Sequence, residues 1–293
     1  RPAKFPERLQ PLLSALNAAR AGILEVKAID AALGEALVAF SSAGIEQGIV
    51  VINPPAGEWV DVEQVKSFFQ QVGLDWQFIA NDGIKLRKAL FTIMDAVSDS
   101  LKSAEDAPLV IPIDQHFNVK GIGLVAIGYV QSGRLSVHDE VMIMPAGGVA
   151  STKSLQVMDD DVVCAIAGDR VGIALRNAKE EHLASASIIV HPVVDDKKSG
   201  GNNPISVIGY ERTSFKLQKS PFHKRDLSVG DVVHIAVDLQ FVVGRIEVVE
   251  GGLVTVGWDS ELFIRRDSPP PALLCQLDNK PRIIGQATGF TSH

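Results

Sequence analysis

The stretch LVIPIDQHFNVKGIG, at residues 109–123, decides the fold class of the middle of the chain. Its apolar start and its closely spaced Gly121 and Gly123 are typical of a strand that leads into a sharp corner of a barrel. After it, short β-branched runs alternate with glycine-bearing turns about every 8–12 residues. This pattern predicts an all-β barrel over residues 108–194.

The residues before this stretch alternate between helical and strand patterns. Apolar residues recur with a helical period over 7–20, 30–40, 61–71 and 84–101. Strand-sized apolar runs stand between them, at 22–26, 48–52 and 75–79. This order predicts a small parallel sheet with right-handed crossovers and covered faces. We therefore expect an α/β domain over residues 1–104.

A second all-β segment follows a polar linker. Residues 195–204 read DDKKSGGNNP and contain almost no apolar side chain. Beyond them the β-branched runs return, and we expect a second barrel over residues 203–291. A weak internal repeat supports this prediction, because the motif L-S-V-x-D-x-V occurs at both 135–141 and 227–233.

Composition excludes several classes of protein. A chain of 293 residues with 46% hydrophobic and 22% charged residues is not mainly disordered. No apolar run approaches the roughly 18 residues of a transmembrane helix, so we expect no membrane partner. Two cysteines, Cys164 and Cys275, exclude a disulfide scaffold and a multi-cysteine zinc site, and they fit a cytoplasmic location. The net charge of −7 argues against DNA as a partner but permits a local basic face.

The middle of the chain resembles the second domain of translation elongation factors of the Tu type. The resemblance rests on residues 109–123, on VAIG at 125–128, on the run at 137–141 and on AGDRVG at 167–172, in the family's order and spacing. The strings IDQHF and AGDRVG are most similar to the selenocysteine-specific branch. The resemblance implies an α/β plus all-β fold, in which a partial GTPase-like parallel-sheet domain precedes two barrels of the domain 2 and domain 3 type.

The guanine-nucleotide motifs are degraded. No phosphate loop of the form G-x-x-x-x-G-K-[ST] occurs in the sequence. Where the resemblance places N-K-x-D, the chain reads Asn53-Pro54-Pro55-Ala56, so the lysine and the base-reading carboxylate are lost. The third nucleotide loop, at 79–81, lacks its serine. We therefore predict a degenerate domain that does not hydrolyse GTP, with Asn53 as a non-functional remnant and with neither a cofactor nor catalytic residues.

Two alternatives to this interpretation stay open. The chain could be a genuine translational GTPase whose phosphate loop lies upstream of Arg1, in which case GTP and magnesium would be its cofactors. It could also be a protein-interaction adaptor that reuses the barrels without binding RNA.

The resemblance also implies candidate binding residues. In the selenocysteine-specific branch, positions matching Asp114 and Arg170 line the pocket for the aminoacyl group, and His116 stands close in sequence to Asp114. These three residues are therefore candidates for an aminoacyl pocket. The alternative is an ordinary ion pair between Asp114 and Arg170 on one barrel face.

The last segment carries a local basic set near Phe215 and Phe222. The candidates for RNA contact are Lys216, Lys219, Lys224, Arg225, Arg265 and Arg266. Basic loops with interleaved aromatic residues suit contact with an RNA backbone, although a solvated hairpin loop would have the same composition. No metal site is predicted, since the adjacent carboxylates at 159–161 cannot all face one ion. The sequence thus predicts an elongation factor-like protein that binds tRNA, the ribosome or another translation factor.

Overall fold

A computed structural model of the chain describes residues 4–183, 186–192, 195–196, 201–202, 206–266 and 269–292. Most of the predicted linker at 195–204 and the adjoining ends of the two predicted barrels, at 193–194 and 203–205, lie outside the described residues. In the described ranges, no helix is long and apolar enough to cross a membrane.

The N-terminal part is an α/β domain, as the alternating pattern predicted. Its described strands pair in parallel in the order β1-β2-β3, with bounds β1 (Ala21–Val26), β2 (Gln47–Ile52) and β3 (Gln77–Phe78). Its described helices are α1 (Gln10–Ala18), α2 (Ala31–Ser42), α3 (Val62–Gln71) and α4 (Gly83–Leu101). Side chains of Asp30, Asp61 and Asp82 accept backbone N–H groups at the starts of α2, α3 and α4, which fixes where these helices begin.

Trp76 explains why β3 is shorter than the predicted strand at 75–79. The indole is buried and its Nε1 donates to the Ile45 carbonyl oxygen at 3.1 Å, so the chain enters the core before it joins the sheet. The ring lies over Gly22 and Gly48, which are direct partners across β1 and β2. A Cβ atom would lie 2.3 Å from the ring at Gly22 and 2.4 Å at Gly48. The absence of both side chains makes room for the ring.

The middle of the chain closes into a β-barrel. Its strands are β4 (Ile111–Val119), β5 (Gly123–Tyr129), β7 (Glu140–Met144), β8 (Gly148–Val157), β11 (Arg170–Arg176) and β12 (Ile188–Val190). They run in the order β11-β5-β4-β12-β7-β8, and β8 also pairs with β11, which closes the ring. Shorter strands flank it: β6 (Arg134–Ser136), β9 (Asp160–Val162) and β10 (Cys164–Ile166). Short 3₁₀ turns lie at Lys102–Ala104 and Glu180–His182.

The C-terminal part is a second closed barrel, with strand order β15-β18-β17-β16-β19-β20. Its strands are β15 (Val207–Lys219), β16 (Val232–Val237), β17 (Gln240–Glu250), β18 (Leu253–Arg265), β19 (Ala272–Cys275) and β20 (Ile283–Ser292). A two-residue pair, β13 (Asp195–Asp196) with β14 (Gly201–Asn202), precedes it. Both predicted barrels are therefore confirmed.

The α/β domain and the second barrel share one apolar core. Side chains of α1, α2 and α3 cover one face of the parallel sheet, and Ala236, Leu273, Cys275 and Ile283 of the barrel belong to the same cluster. The other face of the sheet is covered by α4. Burial in this shared core raises the pKa of the Cys275 thiol, which is therefore an unreactive apolar side chain.

A buried ion pair locks the same interface. Arg282 in the second barrel donates from Nη2 to Glu35 Oε2 at 2.5 Å and from Nε to Glu35 Oε1 at 2.8 Å. It also donates to the carbonyl oxygens of Pro6 and Glu7, at 2.6 and 3.3 Å. The hydrogen bond to Glu35 raises the pKa of Arg282, so the charge on the guanidinium is held in place. The pair ties α2 and the N-terminal segment to the barrel.

Glu35→Gln tests this interface. The substitution keeps the volume but leaves the Arg282 charge without its counter-ion in a largely buried position, which costs about 3 kcal/mol. We expect a lower midpoint of urea denaturation, followed by circular dichroism. The control is Glu63→Gln, which breaks an exposed pair with Lys66 and changes stability by less than about 1 kcal/mol. Equal midpoints for the two variants would contradict the assignment.

Candidate functional site

A cavity of about 460 Å³ lies where the α/β domain and the two barrels meet. We call it the β4 cavity. Its described lining includes Gln10 and Ser14 of α1, Asp114, Gln115 and His116 of β4, and Leu239 between β16 and β17. Every domain contributes side chains, so the cavity exists only in the assembled chain. Two of the sequence-predicted pocket residues, Asp114 and His116, line it directly.

A β-bulge exposes Asp114. Ile113 pairs with Gly128 and Gln115 pairs with Ile127, so Asp114 is the extra residue between them on β4. Bulges of this kind re-aim side chains and are frequent beside functional sites. The neighbouring Gly128 permits the close approach of β5, since a Cβ atom there would lie 2.5 Å from the Pro112 carbonyl oxygen.

Arg170 contacts Asp114 from the neighbouring side of the barrel. It begins β11 opposite Tyr129, and its Nη2 lies 3.6 Å from Asp114 Oδ2. Its guanidinium carbon lies 5.8 Å from the centre of the Tyr129 ring, a cation–π contact. Gln115 Nε2 donates to the same Asp114 oxygen at 3.3 Å. The side chains of Arg170 and Asp114 are 50% and 36% exposed, so the pair is open to a ligand.

Asn53 is engaged within the α/β domain. It follows β2, and its Nδ2 donates to Glu25 Oε1 at 2.6 Å. Its Oδ1 accepts from Asn81 Nδ2 at 3.3 Å, and its backbone N–H donates to the Val26 carbonyl oxygen at 2.9 Å. Asn53 thus links the carboxyl ends of neighbouring strands. No cluster of histidine, cysteine, aspartate or glutamate suited to a metal ion occurs in the described part of the chain.

The predicted RNA-contact residues fall into two separate groups. Lys216 and Lys219 lie near the end of β15, and Lys224 and Arg225 lie in the loop that follows. Arg265 pairs with Val207 at the opposite end of β15, and Arg266 follows it. Lys216 lies nine positions along β15 from Val207, which places the two residues roughly 30 Å apart at about 3.3 Å per residue. The structure therefore does not bring the two groups together.

Several members of this set have internal partners. Lys219 pairs with Asp226 and Arg225 pairs with Asp231, each at 3.0 Å. Arg265 is bound by Asp238, with Nε 2.8 Å from Oδ2 and Nη2 bonded to Oδ1. That pair is buried, since the Arg265 and Asp238 side chains are 11% and 2% exposed. Lys216, Lys224 and Arg266 are exposed.

The aromatic residues of the basic segment do not face solvent with the lysines. Phe215 is fully buried in the core of the second barrel, because alternate residues of a strand point to opposite faces. Phe222 is half-buried against the shared core, and His223 is buried. The expectation of aromatic residues displayed among these cations was therefore wrong. Cys164 is half-buried.

Sequence reasoning missed the contributions of α1 and of the β16–β17 turn to the cavity. Gln10, Ser14 and Leu239 belong to no motif, and a helical period only separates the buried face of α1 from its polar face. No sequence signal shows which barrel that polar face meets.

Comparisons with known proteins agree with this architecture. Residues 123–190 match the family described as Elongation factor Tu domain 2. The chain is 28% identical over 210 residues to the selenocysteine-specific elongation factor of Methanocaldococcus jannaschii, over 64% of this chain and 44% of that protein. It is 27% identical over 198 residues to elongation factor 1-alpha of Saccharolobus solfataricus, over 59% of this chain and 43% of that protein. The chain is a relative of the Tu-type translation elongation factors.

The matches cover different shares of the related proteins. The matches to these Tu-type factors span less than half of their lengths. A further relative, the uncharacterized protein MJ0325 of Methanocaldococcus jannaschii, is 27% identical over 287 residues, or 97% of this chain and 84% of that protein.

Solved structures of Tu-type factors share the fold. A bacterial selenocysteine-specific elongation factor EF-Sec superposes with a TM-score of 0.76 at 20% identity, over 95% of this chain and 46% of that chain. The elongation factor SelB from Methanococcus maripaludis, in its apo form, gives a TM-score of 0.73 at 18% identity, over 97% and 68%. At these identities the likeness establishes the fold.

Truncations of neighbouring residues test the placement of the basic segment. Phe215→Ala removes a fully buried ring and lowers the free energy of unfolding by about 3–5 kcal/mol. Lys216→Ala, one residue further, removes an exposed side chain and changes it by less than about 0.5 kcal/mol. The measurement is thermal denaturation of the full chain. A Phe215 variant as stable as the Lys216 variant would place the ring outside the core.

Proposed function

We propose that this elongation factor-like protein binds the aminoacyl end of a tRNA in the β4 cavity and that its α/β domain does not bind guanine nucleotide. The observation that carries the proposal is the cavity itself. A barrel bulge, a helix of the α/β domain and a turn of the second barrel converge there on Asp114 and His116. The names of the relatives support a role in translation.

The chemistry of the cavity suits an aminoacyl ester. Its volume of about 460 Å³ lies within the roughly 300–1,000 Å³ typical of ligand sites. The Asp114 carboxylate supplies a charged acceptor for the α-ammonium group, and such charge-assisted hydrogen bonds are about twice as strong as neutral ones. Arg170 holds this carboxylate from the side and acts as a positioning residue. Gln115 and Ser14 supply further polar groups at the wall.

The exposed cations of the second barrel would contact an RNA backbone. Lys216 and Lys219 lie near one end of β15, and Lys224 and Arg225 lie in the loop that follows, with Lys219 and Arg225 each paired to an aspartate. Since the whole chain is acidic, only a few phosphates would be neutralised, and binding would weaken modestly with salt.

The sequence at residues 53–56, where the resemblance places N-K-x-D, supports the proposal that the α/β domain does not bind guanine nucleotide. Pro54 offers no aliphatic stem to cover a base and Ala56 offers no carboxylate to read its edge. The amide of Asn53, the one residue kept from the motif, is bonded to Glu25 and Asn81. The domain then serves as a platform that positions α1 against the barrels.

A protein partner is a second candidate function, favoured by apolar side chains at the edge of the sheet. Trp59, in the loop after β2, is 79% exposed, and Ile84, at the start of α4, is 84% exposed. β2 and β3 are neighbouring parallel strands, so the segments that follow them begin at the same edge of the sheet, where an exposed apolar patch would suit protein contact. Another translation factor or a ribosomal protein would be the partner of such a surface.

Titration with tRNA tests the proposed pocket. Asp114→Asn keeps the shape but removes the charge, and we expect about tenfold weaker binding of aminoacylated tRNA, equivalent to one charged hydrogen bond. Binding of uncharged tRNA should not change. The measurement is filter binding with both tRNA forms at low salt, and Asp160→Asn on exposed β9 is the matched control. Wild-type protein that ignores both tRNA forms would reject this function in favour of the protein partner.

Titration with nucleotide tests the α/β domain. We expect no heat of binding for GTP or GDP with magnesium in isothermal titration, because Pro54 and Ala56 cannot make the contacts that a lysine and an aspartate would make with the guanine base. Micromolar affinity in this chain would overturn the proposal. A longer form of the protein that carries a phosphate loop and hydrolyses GTP would support the alternative of a genuine GTPase.

A further inference from the structure

A second cavity, of about 250 Å³, lies at another point where the α/β domain and both barrels meet. We call it the junction cavity. Its charged and amide side chains are Arg20 after α1, Gln131 of the first barrel, and Asp238 and Arg265 of the second barrel. None of these four belongs to the β4 cavity.

The charges of the junction cavity do not balance. Asp238 gives both carboxylate oxygens to Nε and Nη2 of Arg265. Arg20 donates only to neutral acceptors, namely Gln131 Oε1 and the Ala19 carbonyl oxygen. Among the described residues no carboxylate forms an ion pair with Arg20. Two guanidinium groups therefore face one carboxylate, and the site carries one excess positive charge.

The surroundings hold this excess charge in place. Gln131 Nε2 donates to the Asn17 carbonyl oxygen at 3.0 Å, which turns its Oε1 toward Arg20. Burial lowers the pKa of Arg20 and the charge of Arg265 lowers it further, while Asp238 opposes them in part. An arginine stays protonated in proteins, so the cost of the unpaired charge is carried by the folded state. A bound anion would remove that cost.

We propose that the junction cavity binds a small phosphate-class oxyanion between Arg20 and Arg265. The planar fork of a guanidinium matches the oxygens of a phosphate group, and Asp238 leaves Nη1 of Arg265 for a ligand. The volume far exceeds the roughly 15 Å³ that a single water requires. Because its walls come from every domain, the bound ion bridges the α/β domain and both barrels. Occupancy therefore stabilises their mutual arrangement.

Thermal unfolding of the full chain with inorganic phosphate tests this site. Phosphate is varied from 0 to about 20 mM in a chloride buffer at constant ionic strength, with sulfate as a second probe. We expect a saturable rise of the melting temperature by about 2–4 °C, the shift that ligand linkage gives when phosphate exceeds its dissociation constant severalfold. No saturable rise with either ion would overturn the proposal.

Variants that change the charge of the site in opposite directions make the test specific. Gln131→Glu places a carboxylate against Arg20 and gives up the hydrogen bond to the Asn17 carbonyl oxygen, so the variant should lose the response to phosphate whatever its own melting temperature. Asp238→Asn adds a second unpaired positive charge, so it should lower the melting temperature without phosphate and enlarge the response.

The matched control is Arg212→Gln, in an exposed pair with Glu247 at 2.6 Å on the second barrel. It should keep the wild-type response to phosphate. A Gln131→Glu protein that responds like the wild type would show that phosphate binds elsewhere, and so would an Asp238→Asn response no larger than that of the wild type. Either result rejects the junction cavity as the binding site.

Discussion

The apolar core shared by the α/β domain and the second barrel is the contact on which the rest of the structure depends. Leu273, Cys275 and Ile283 leave the barrel wall to pack with the helices that cover the parallel sheet. The Glu35–Arg282 pair fixes the same surfaces with directional bonds. Apolar burial supplies the non-directional attraction, and the ion pair ties α2 and the N-terminal segment to the second barrel with directional bonds. The helices of the shared core, α1 among them, are thereby held against that barrel.

That position of α1 creates both cavities. Its polar face supplies Gln10 and Ser14 to the β4 cavity, and the residues after it supply Arg20 to the junction cavity. Each cavity also has one carboxylate from a barrel: Asp114 in the first and Asp238 in the second. A ligand in either cavity would contact every domain at once. Binding there and the arrangement of the domains are consequently two aspects of one equilibrium.

The α/β domain is held together by local polar contacts at the carboxyl edge of its sheet. Asn53 links the ends of neighbouring strands, and the aspartate caps of α3 and α4 fix where those helices begin. Under the proposed function this domain contributes packing and the placement of α1, and ligand recognition falls to the barrels.

The sequence by itself determined the elements and the fold class, because helical periods, β-branched runs and capping aspartates act over a few neighbouring residues. It also pointed to Asp114 and Arg170, which the structure brings together. Only the tertiary structure decided that Arg265 is bound by Asp238, 27 residues away, and that Phe215 lies inside the barrel. No local sequence pattern indicates that Gly22 and Gly48 lie beneath Trp76, or that the two cavities exist. Their partners are distant in sequence, and such contacts are set by how the domains pack and not by the pattern of any one segment.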